Sequence, residues 1–283
     1  MKTYLLRYGE INLKGKNRPF FERKLSHSLK SYLKNKNVEG SVKRLRNRIY
    51  VETADEVDWR PIFGLVNYSP CIKINGNYEA IQEEVKTRCK PFTDKTKFRI
   101  TTNKMDPSFP LSKQEMNEQL GSLVVEQTGA KVSLKGYDEE IGIEVLQGKA
   151  YIYSTMIPCH GGLPVGVEGS ALLLMDFDAE GKNEKSLLAG VLAMRRGCAV
   201  FPIAEKHHDI QLLDQYAYGT KPQFKLFSEI NLPEFIERYE LQALIVGDTL
   251  STLKRYDEIP LPVLRPLIGY TEEKIKEEMK RYR

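Results

Sequence analysis

The pattern of hydrophobic and polar residues predicts a small α/β unit at the start of the chain. Apolar residues alternate with polar ones in the segments predicted as strands, and they recur every three or four positions in those predicted as helices. The predicted elements are strand Lys2–Tyr8, helix Arg18–Leu33, strands Ser41–Leu45 and Arg48–Thr53 around the turn residues Arg46 and Asn47, helix Asp55–Leu65 and strand Pro70–Tyr78. Their order, β-α-β-β-α-β, is that of the ferredoxin-like fold.

A second group of mixed helices and strands follows. The predicted elements are helix Ala80–Cys89, strand Lys97–Asn103, helix Lys113–Gln127 and strands Ile141–Leu146 and Ala150–Thr155. Ser112 precedes the second of these helices and Glu115 stands three residues later, which predicts a capping box. Glycines and a proline at 160–166 then predict a linker.

The last third of the chain has the pattern of an α/β domain. Strands are predicted near 171–175, 198–204 and 242–247, with a helix at 187–194 between the first two. In such a βαβ unit the first strand-to-helix turn is where a helix N-terminus holds phosphate. That turn, Asp176–Ser186, contains one glycine, Gly181, whereas a phosphate loop needs several glycines so that backbone N–H groups can approach the oxygens. The position is that of a nucleotide site, but the residue types are not.

Basic residues are concentrated at the start of the chain. The net charge is +5 overall, but residues 1–50 contain 14 Lys and Arg against three Glu and so carry +11, while the remainder carries −6. This asymmetry indicates a polyanionic partner, and we favour nucleic acid over a merely solvated lysine-rich helix. The residues predicted to contact RNA are Lys14, Lys16 and Arg18 in the first loop, Lys43, Arg44, Arg46 and Arg48 in the hairpin, and Lys104 and Lys113 further on.

Alternation is expected to place Arg44, Arg46 and Arg48 on one face of the hairpin, provided that the turn keeps register. Three like charges on one face repel one another and are costly without an anion opposite them. Few acidic residues stand nearby in the sequence, which favours contact with an RNA backbone.

Composition argues against several other classes of protein. No apolar run approaches the roughly 20 residues of a membrane span, and the chain opens on a predicted strand rather than a signal peptide. The four cysteines are far apart and form no C-x-x-C pair, which fits the cytoplasm and argues against structural zinc. The segment His207–Asp209 is expected to be a solvated turn, because adjacent residues point apart, and Asp176 and Asp178 lack further carboxylates to hold magnesium. We therefore predict no metal site and name no catalytic residue.

Four short segments, in order along most of the chain, resemble the tRNA 4-thiouridine synthetase family, also described as thiamine-biosynthesis tRNA sulfurtransferases. They are Tyr8–Phe20, Asp106–Leu111, Gly161–Gly166 and Leu261–Gly269. The resemblance implies a ferredoxin-like domain over residues 1–77, an RNA-binding THUMP domain over 78–166, and a Rossmann-like PP-loop domain of the ATP-pyrophosphatase type over 167–283. It also implies a homodimer that grips the acceptor region of tRNA, activates a uridine with ATP and magnesium, and receives sulfur from a persulfide.

The chain departs from this family where the chemistry would take place. The family's PP-loop has the pattern S-G-G-x-D-S, and residues 181–186 stand in its place. Only Ser186 matches, since Lys182 and Asn183 replace the glycines and Lys185 replaces the aspartate. Gly181, Lys182, Asn183, Lys185 and Ser186 are thus expected to be a vestigial nucleotide site. The stretch after 248 is shortened, and no cysteine occurs between Pro202 and Arg283 to relay sulfur.

Three hypotheses follow from these observations. The first is a tRNA-binding protein with a degenerate nucleotide domain, acting as a partner in tRNA modification. The second is an active sulfurtransferase that uses ATP through an altered loop and draws sulfur from a separate donor. The third is a structural module whose PP-loop remnant forms a dimer interface.

Overall fold

The computed structural model describes residues 1–176, 183–207, 209–220 and 222–283. The strands within these ranges are β1 (Lys2–Tyr8), β2 (Gly40–Leu45), β3 (Arg48–Thr53), β4 (Leu65–Pro70), β5 (Ile72–Asn75), β6 (Lys97–Lys104), β7 (Lys131–Val132), β8 (Glu139–Leu146), β9 (Lys149–Tyr153), β10 (Ile157–Pro158), β11 (Ser170–Leu174), β12 (Ala199–Ala204), β13 (Lys225–Leu226), β14 (Leu241–Ile245) and β15 (Val263–Leu264). The helices are α1 (Arg18–Asn35), α2 (Tyr78–Arg88), α3 (Lys113–Thr128), α4 (Glu184–Arg195), α5 (Gln211–Asp214), α6 (Leu232–Arg238) and α7 (Glu272–Tyr282).

The chain divides into two compact units, each built from several segments. One unit comprises Met1–Arg7, Val38–Val57 and Asn67–Pro158, and the other comprises Tyr8–Asn37, Asp58–Val66 and Cys159–Arg283. The described part of the chain forms three five-stranded sheets. None of its helices combines the length and apolar character that a membrane span requires.

The first sheet has the strand order β10-β4-β1-β3-β2. Strand β3 pairs antiparallel with both β1 and β2, as the ferredoxin-like prediction requires. The hairpin between β2 and β3 closes over two residues, Arg46 and Asn47, and Asn47 adopts a positive φ of 62°. Asparagine adopts such left-handed backbone more readily than most other residues.

The register of this hairpin corrects the expectation that Arg44, Arg46 and Arg48 share one face. Leu45 lies opposite Arg48, and Arg44 lies opposite Ile49. Residues directly opposite each other in an antiparallel pair share a face, whereas neighbours along a strand point to opposite faces. Arg44 and Arg48 therefore lie on opposite faces of the sheet, because the turn takes up only two residues.

The helix predicted over Asp55–Leu65 is wrong, since no helix forms there. Pro61 lacks a backbone N–H, and Gly64 adopts a φ of +101°, so the segment has both a helix breaker and a left-handed residue. The apolar side chains that suggested a helix are buried individually in irregular backbone: Val57, Trp59, Ile62 and Phe63.

The second sheet has the order β5-β9-β8-β6-β7, and its central strands β6 and β8 run parallel. Helix α3 begins with the predicted capping box, in which Ser112 Oγ accepts from the backbone N–H of Glu115 and the Glu115 carboxylate accepts from that of Ser112. It ends at Gly129, whose φ of 70° gives the left-handed cap. Side chains of α2 and α3 pack against this sheet in one apolar core.

The third sheet is parallel throughout, with the order β13-β12-β11-β14-β15. The chain passes from β11 to β12 and β13 on one side and then crosses to β14 and β15 on the other. The crossover makes the carboxyl ends of β11 and β14 a topological switch point, where open α/β sheets bind ligands. The fold thus consists of an antiparallel sheet of the ferredoxin-like type, a second sheet covered by α2 and α3, and a carboxyl-terminal parallel α/β sheet, the order of α+β and α/β parts expected from the sequence.

Candidate nucleotide cleft and nucleic-acid interface

The predicted nucleotide site lies at the switch point of the third sheet. Asp176 follows β11, Lys185 and Ser186 lie in the first turn of α4, and Asp248 follows β14. Gly181 and Lys182 fall outside the described residues. The elements that carry a phosphate loop in an α/β fold are therefore present, and the chemistry depends on what the side chains at this edge contact.

Ser186 holds the two ends of the segment Asp176–Ser186 close together. Its hydroxyl accepts a hydrogen bond from the Asp176 backbone N–H at 3.0 Å and donates one to the Asp176 carbonyl at 3.3 Å. The residue is 2% exposed. The one residue that matches the PP-loop pattern is thus held by the backbone.

The other described residues of the expected vestigial site also have partners within the protein. Lys185 Nζ lies 2.6 Å from Glu272 Oε1 at the start of α7. Asn183 Nδ2 donates to the Asp209 carbonyl at 3.3 Å. A Cβ atom at Gly247 would lie 2.8 Å from the backbone N of Ser186, so the end of β14 approaches the start of α4 closely. This packing occupies space beside the helix N-terminus.

Asp248 anchors the segment that follows it. Its carboxylate accepts from Tyr256 Oη at 2.8 Å and from the Lys254 backbone N–H at 3.2 Å, and it lies 3.4 Å from Arg265 Nε. Burial raises the pKa of the Tyr256 phenol, and the hydrogen bond to Asp248 raises it further. Lys254 Nζ in turn forms an ion pair with Asp176. The segment at 254–256 is therefore fixed to the carboxyl edge of the sheet.

A cavity of about 570 Å³ lies at the carboxyl ends of β11 and β12. Its apolar lining includes Leu174, Met175, Phe227 and Ile259. Its charged lining has both signs: Asp176, Glu205, Asp257 and Glu258 against Lys206, Lys254 and Arg255. The volume would admit a small molecule, but the lining that the described residues provide has no excess of positive charge to balance a triphosphate.

The described residues offer neither a metal cluster nor an activated thiol. No group of three His, Cys, Asp or Glu side chains is placed there to hold an ion. His207 stacks on Phe224, whereas His208 and Asp178 lie outside the described residues. Burial raises the pKa of Cys71 and Cys159 to about 12 and also raises that of Cys89 and Cys198. All four thiols are therefore protonated near neutral pH.

The basic residues predicted to contact RNA fall into three groups: those paired with carboxylates, those exposed without such a partner, and the half-buried Lys104. Lys14, Arg18 and Arg48 are paired with the carboxylates of Glu168, Glu22 and Glu144, respectively. No carboxylate of the described chain pairs with the others that are exposed: Lys16, Lys43, Arg44, Arg46 and Lys113. Lys104 is half-buried at the end of β6. The exposed members remain candidates for an anionic partner.

Sequence reasoning missed one buried network, because its members are distant along the chain. Glu144 is 1% exposed, and each of its carboxylate oxygens lies 2.7 Å from an arginine Nε, that of Arg7 or that of Arg48. Arg7 also donates to Asn67 and Ser69 and lies 4.6 Å from the centre of the Tyr153 ring. Arg48 therefore has a structural partner and is not exposed for RNA.

Comparisons with protein families match the first two domains. Residues 3–69 match the ThiI ferredoxin-like domain, and residues 75–155 match the THUMP domain. A probable tRNA sulfurtransferase of Thermococcus kodakarensis is 28% identical over 96% of this chain and 85% of its own length. One of Staphylococcus aureus is 34% identical over 69% of this chain and 49% of its own length.

Solved structures match the whole chain. The crystal structure of PH1313 from Pyrococcus horikoshii is 29% identical, with a TM-score of 0.82 over 99% of both chains. A 4-thiouridine synthetase crystallised with RNA and ATP is 21% identical, with a TM-score of 0.79 over all of this chain and 85% of that one, which shows a shared fold. The chain therefore belongs to the ThiI-type family, in which a ThiI ferredoxin-like domain and a THUMP domain precede an α/β domain.

Proposed function

We propose that this chain binds tRNA and that its α/β domain does not carry out ATP-dependent adenylation. The THUMP domain and the relatives named tRNA sulfurtransferases support tRNA as the partner. We place the ferredoxin-like domain at 1–77, the THUMP domain at 78–166 and the degenerate PP-loop domain at 167–283, with the acceptor region as the part of tRNA that is bound. The chain acts as a homodimer and as a partner in tRNA modification.

The observation that carries tRNA binding is the exposed basic tip of the hairpin. Lys43, Arg44 and Arg46 are exposed, and no carboxylate of the described chain pairs with them. Exposed Lys and Arg side chains displace the counterions that are condensed on the phosphates of a nucleic acid, and the release of these counterions provides most of the affinity for its backbone.

The observation that argues against adenylation is the state of the carboxyl edge of the third sheet. Ser186, Lys185, Asp176 and Asp248 are all engaged with other groups of the protein. A nucleotide would have to break these contacts, and the sequence offers no glycine-rich backbone to receive the phosphates in exchange.

The test combines two titrations of the full chain. We expect tRNA to bind, and we expect the logarithm of its association constant to fall linearly with the logarithm of the salt concentration between roughly 50 and 200 mM. We expect ATP with magnesium to show no micromolar binding and no release of pyrophosphate, with or without tRNA. Absence of tRNA binding throughout this range would overturn the first half of the proposal. Micromolar ATP binding with tRNA-dependent release of pyrophosphate would instead overturn the second half and favour the alternative, an active adenylating enzyme of the sulfurtransferase type that uses an external sulfur donor.

A further inference from the structure

The outward face of α1 carries a row of mostly basic residues. The helix buries Phe21, Leu25, Leu29, Tyr32 and Leu33 on one side. Tyr32 packs there against the rings of Trp59 and Tyr218. The opposite side, at the three- and four-residue spacing of one helical face, presents Phe20, Arg23, Lys24, His27, Lys30 and Lys34. This row, which we call the α1 stripe, spans about 21 Å along the helix axis.

The cations of the α1 stripe have no acidic partner in the described chain. The helix contains a single carboxylate, Glu22, which accepts hydrogen bonds from Arg18 Nε at 2.7 Å and from Tyr8 Oη at 2.6 Å. No ion pair within the described ranges reaches Arg23, Lys30 or Lys34. Like charges three and four residues apart destabilise a helix, so the stripe favours an anion as its ligand.

Phe20 gives the α1 stripe an aromatic end. Its side chain is 40% exposed, which is more than that of any other Phe, Tyr or Trp among the described residues. The ring centres of Phe20 and Phe21 lie 5.5 Å apart with an interplanar angle of 89°, and Lys24 Nζ lies 5.9 Å from the centre of the Phe20 ring. An exposed ring beside cations is the combination that binds single-stranded nucleic acid, since the ring stacks on a base while the cations follow the backbone.

We propose that the α1 stripe binds an unpaired stretch of RNA, with Phe20 stacking on one base and Arg23, Lys30 and Lys34 contacting the phosphates beside it. This inference rests on the proposed tRNA binding and adds to it a contact with a base. The hairpin tip supplies charge alone, whereas Phe20 distinguishes an unstacked nucleotide from a paired one.

The experiment compares two RNA probes on the full chain. One is a single-stranded octanucleotide with 2-aminopurine at its centre, and the other is a blunt-ended duplex of two complementary RNA strands, which has neither a loop nor unpaired ends. Phe20→Ala should weaken binding of the octanucleotide by about 5- to 100-fold, which is the usual cost of losing one stacked base. The same change should alter the affinity for the duplex less than about twofold, because its bases are paired and stacked along the helix and offer no unpaired base to the ring.

Two further variants separate stacking from general effects. Stacking on an aromatic ring is expected to quench the fluorescence of 2-aminopurine. Phe20→Tyr keeps the ring and should retain both the affinity for the octanucleotide and this quenching. Phe20→Leu keeps the apolar volume without the ring and should lose both. Leu264→Ala removes a comparably exposed apolar side chain, 46% exposed on β15, and should change neither. Retention of binding and quenching by Phe20→Leu would overturn stacking.

The outcomes also separate this inference from the proposed function. If the unaltered chain binds tRNA and Phe20→Ala binds the octanucleotide equally well, the α1 stripe inference is wrong and tRNA binding stands. If the unaltered chain binds neither tRNA nor either probe, the proposed function itself fails. Phe20-dependent binding of poly-glutamate with the affinity found for RNA would make an acidic protein the occupant instead.

Discussion

Arg48 Nε lies 2.7 Å from Glu144 Oε2, which ties the first residue of β3 to the middle of β8. The other carboxylate oxygen of Glu144 holds Arg7, so one buried anion serves two cations. Arg7 Nη2 is buried without a hydrogen-bond partner in the described chain, which shows how fully this network is enclosed. Its members join two sheets of the same compact unit.

Removal of the shared anion should destabilise the protein strongly. Glu144→Ala leaves two enclosed guanidinium groups without their counterion, and we expect the free energy of unfolding to fall by about 3–5 kcal/mol. Urea unfolding followed by circular dichroism measures this change. Glu139→Ala, at the exposed start of the same strand, is the matched control and should cost less than about 0.5 kcal/mol. Equal effects of the two changes would contradict the role of the network.

Neutralising the hairpin tip should change the salt dependence of tRNA binding. Replacing Lys43, Arg44 and Arg46 with alanine removes up to three phosphate contacts, so the slope of log K against log salt should become shallower by about 2–3. Arg48→Ala should leave this slope unchanged and lower stability instead, because its charge is bound to Glu144. Lys276→Ala with Lys280→Ala, both exposed on α7, controls for net charge. If the triple variant has the same slope as the unaltered chain, the hairpin is not part of the tRNA interface.

The close approach of β14 to α4 should make Gly247 intolerant of a side chain. In Gly247→Ala the new Cβ would meet the backbone of Lys185 and Ser186 at 2.8 Å, and neither atom can move away as a side chain would. We expect a loss of about 1–3 kcal/mol, which a thermal melt would detect. Gly269→Ala adds the same atom where nothing lies within 4 Å and should be nearly neutral. A stable Gly247→Ala protein would mean that this edge is looser than described.

His160 should make stability depend on acid pH. Burial, together with the nearby cations Arg281, Arg195 and Arg60, lowers the pKa of His160 from the usual 6.5 to about 4. Above pH 6.5 the ring is neutral in both the folded and the unfolded chain, so it contributes no pH dependence. Between pH 6.5 and 4 only the unfolded chain binds a proton at this ring. The free energy of unfolding therefore decreases as the pH is lowered, by at most about 1.4 kcal/mol per pH unit.

The variant His160→Gln isolates this contribution. Urea midpoints measured at intervals from pH 7 to pH 4 should fall more steeply for the unaltered chain than for the variant. The surroundings of the ring are aromatic, with Phe63, Tyr216 and Tyr282 packed around it, so glutamine will lower stability at every pH. The difference in slope is therefore the informative quantity, and parallel curves would refute the lowered pKa.

The thiols should react slowly in the folded protein. A thiol whose pKa is about 12, as for Cys71 and Cys159, is ionised to about one part in ten thousand at pH 8. Iodoacetamide followed by mass spectrometry should therefore modify the native chain slowly and all four cysteines quickly in urea. Rapid modification of Cys198 in the native chain would reveal an activated thiol and revive the possibility of sulfur relay.

Local sequence signals predicted the elements whose causes are local. The capping box at Ser112 and Glu115 and the two-residue turn at Arg46 and Asn47 formed as expected, because each depends on residues a few positions apart. The faces of Arg44 and Arg48 were predicted wrongly, since an alternation count continued through a turn that takes up two residues. The segment 55–65 failed for another reason: tertiary burial of Trp59 and Phe63 imitated helical spacing.

Contacts between distant segments were beyond prediction from one sequence. Arg7, Arg48 and Glu144 lie on three strands, and nothing in their neighbours along the chain marks them as partners. The same holds for Lys185 with Glu272 and for Asp248 with Tyr256. The α1 stripe, by contrast, could have been found by extending the helical spacing of the apolar residues to the polar face.

The engagement of Asp248 has an evolutionary consequence. Two substitutions that placed glycine at 182 and 183 would leave these contacts in place. Asp248 would still accept hydrogen bonds from Tyr256 and Lys254, and Lys254 would still form its ion pair with Asp176. Changes at 254–256 alone would leave the sequence without those glycines. Under the proposed function, a nucleotide site at this edge would therefore require changes in both segments, and no single substitution would create one.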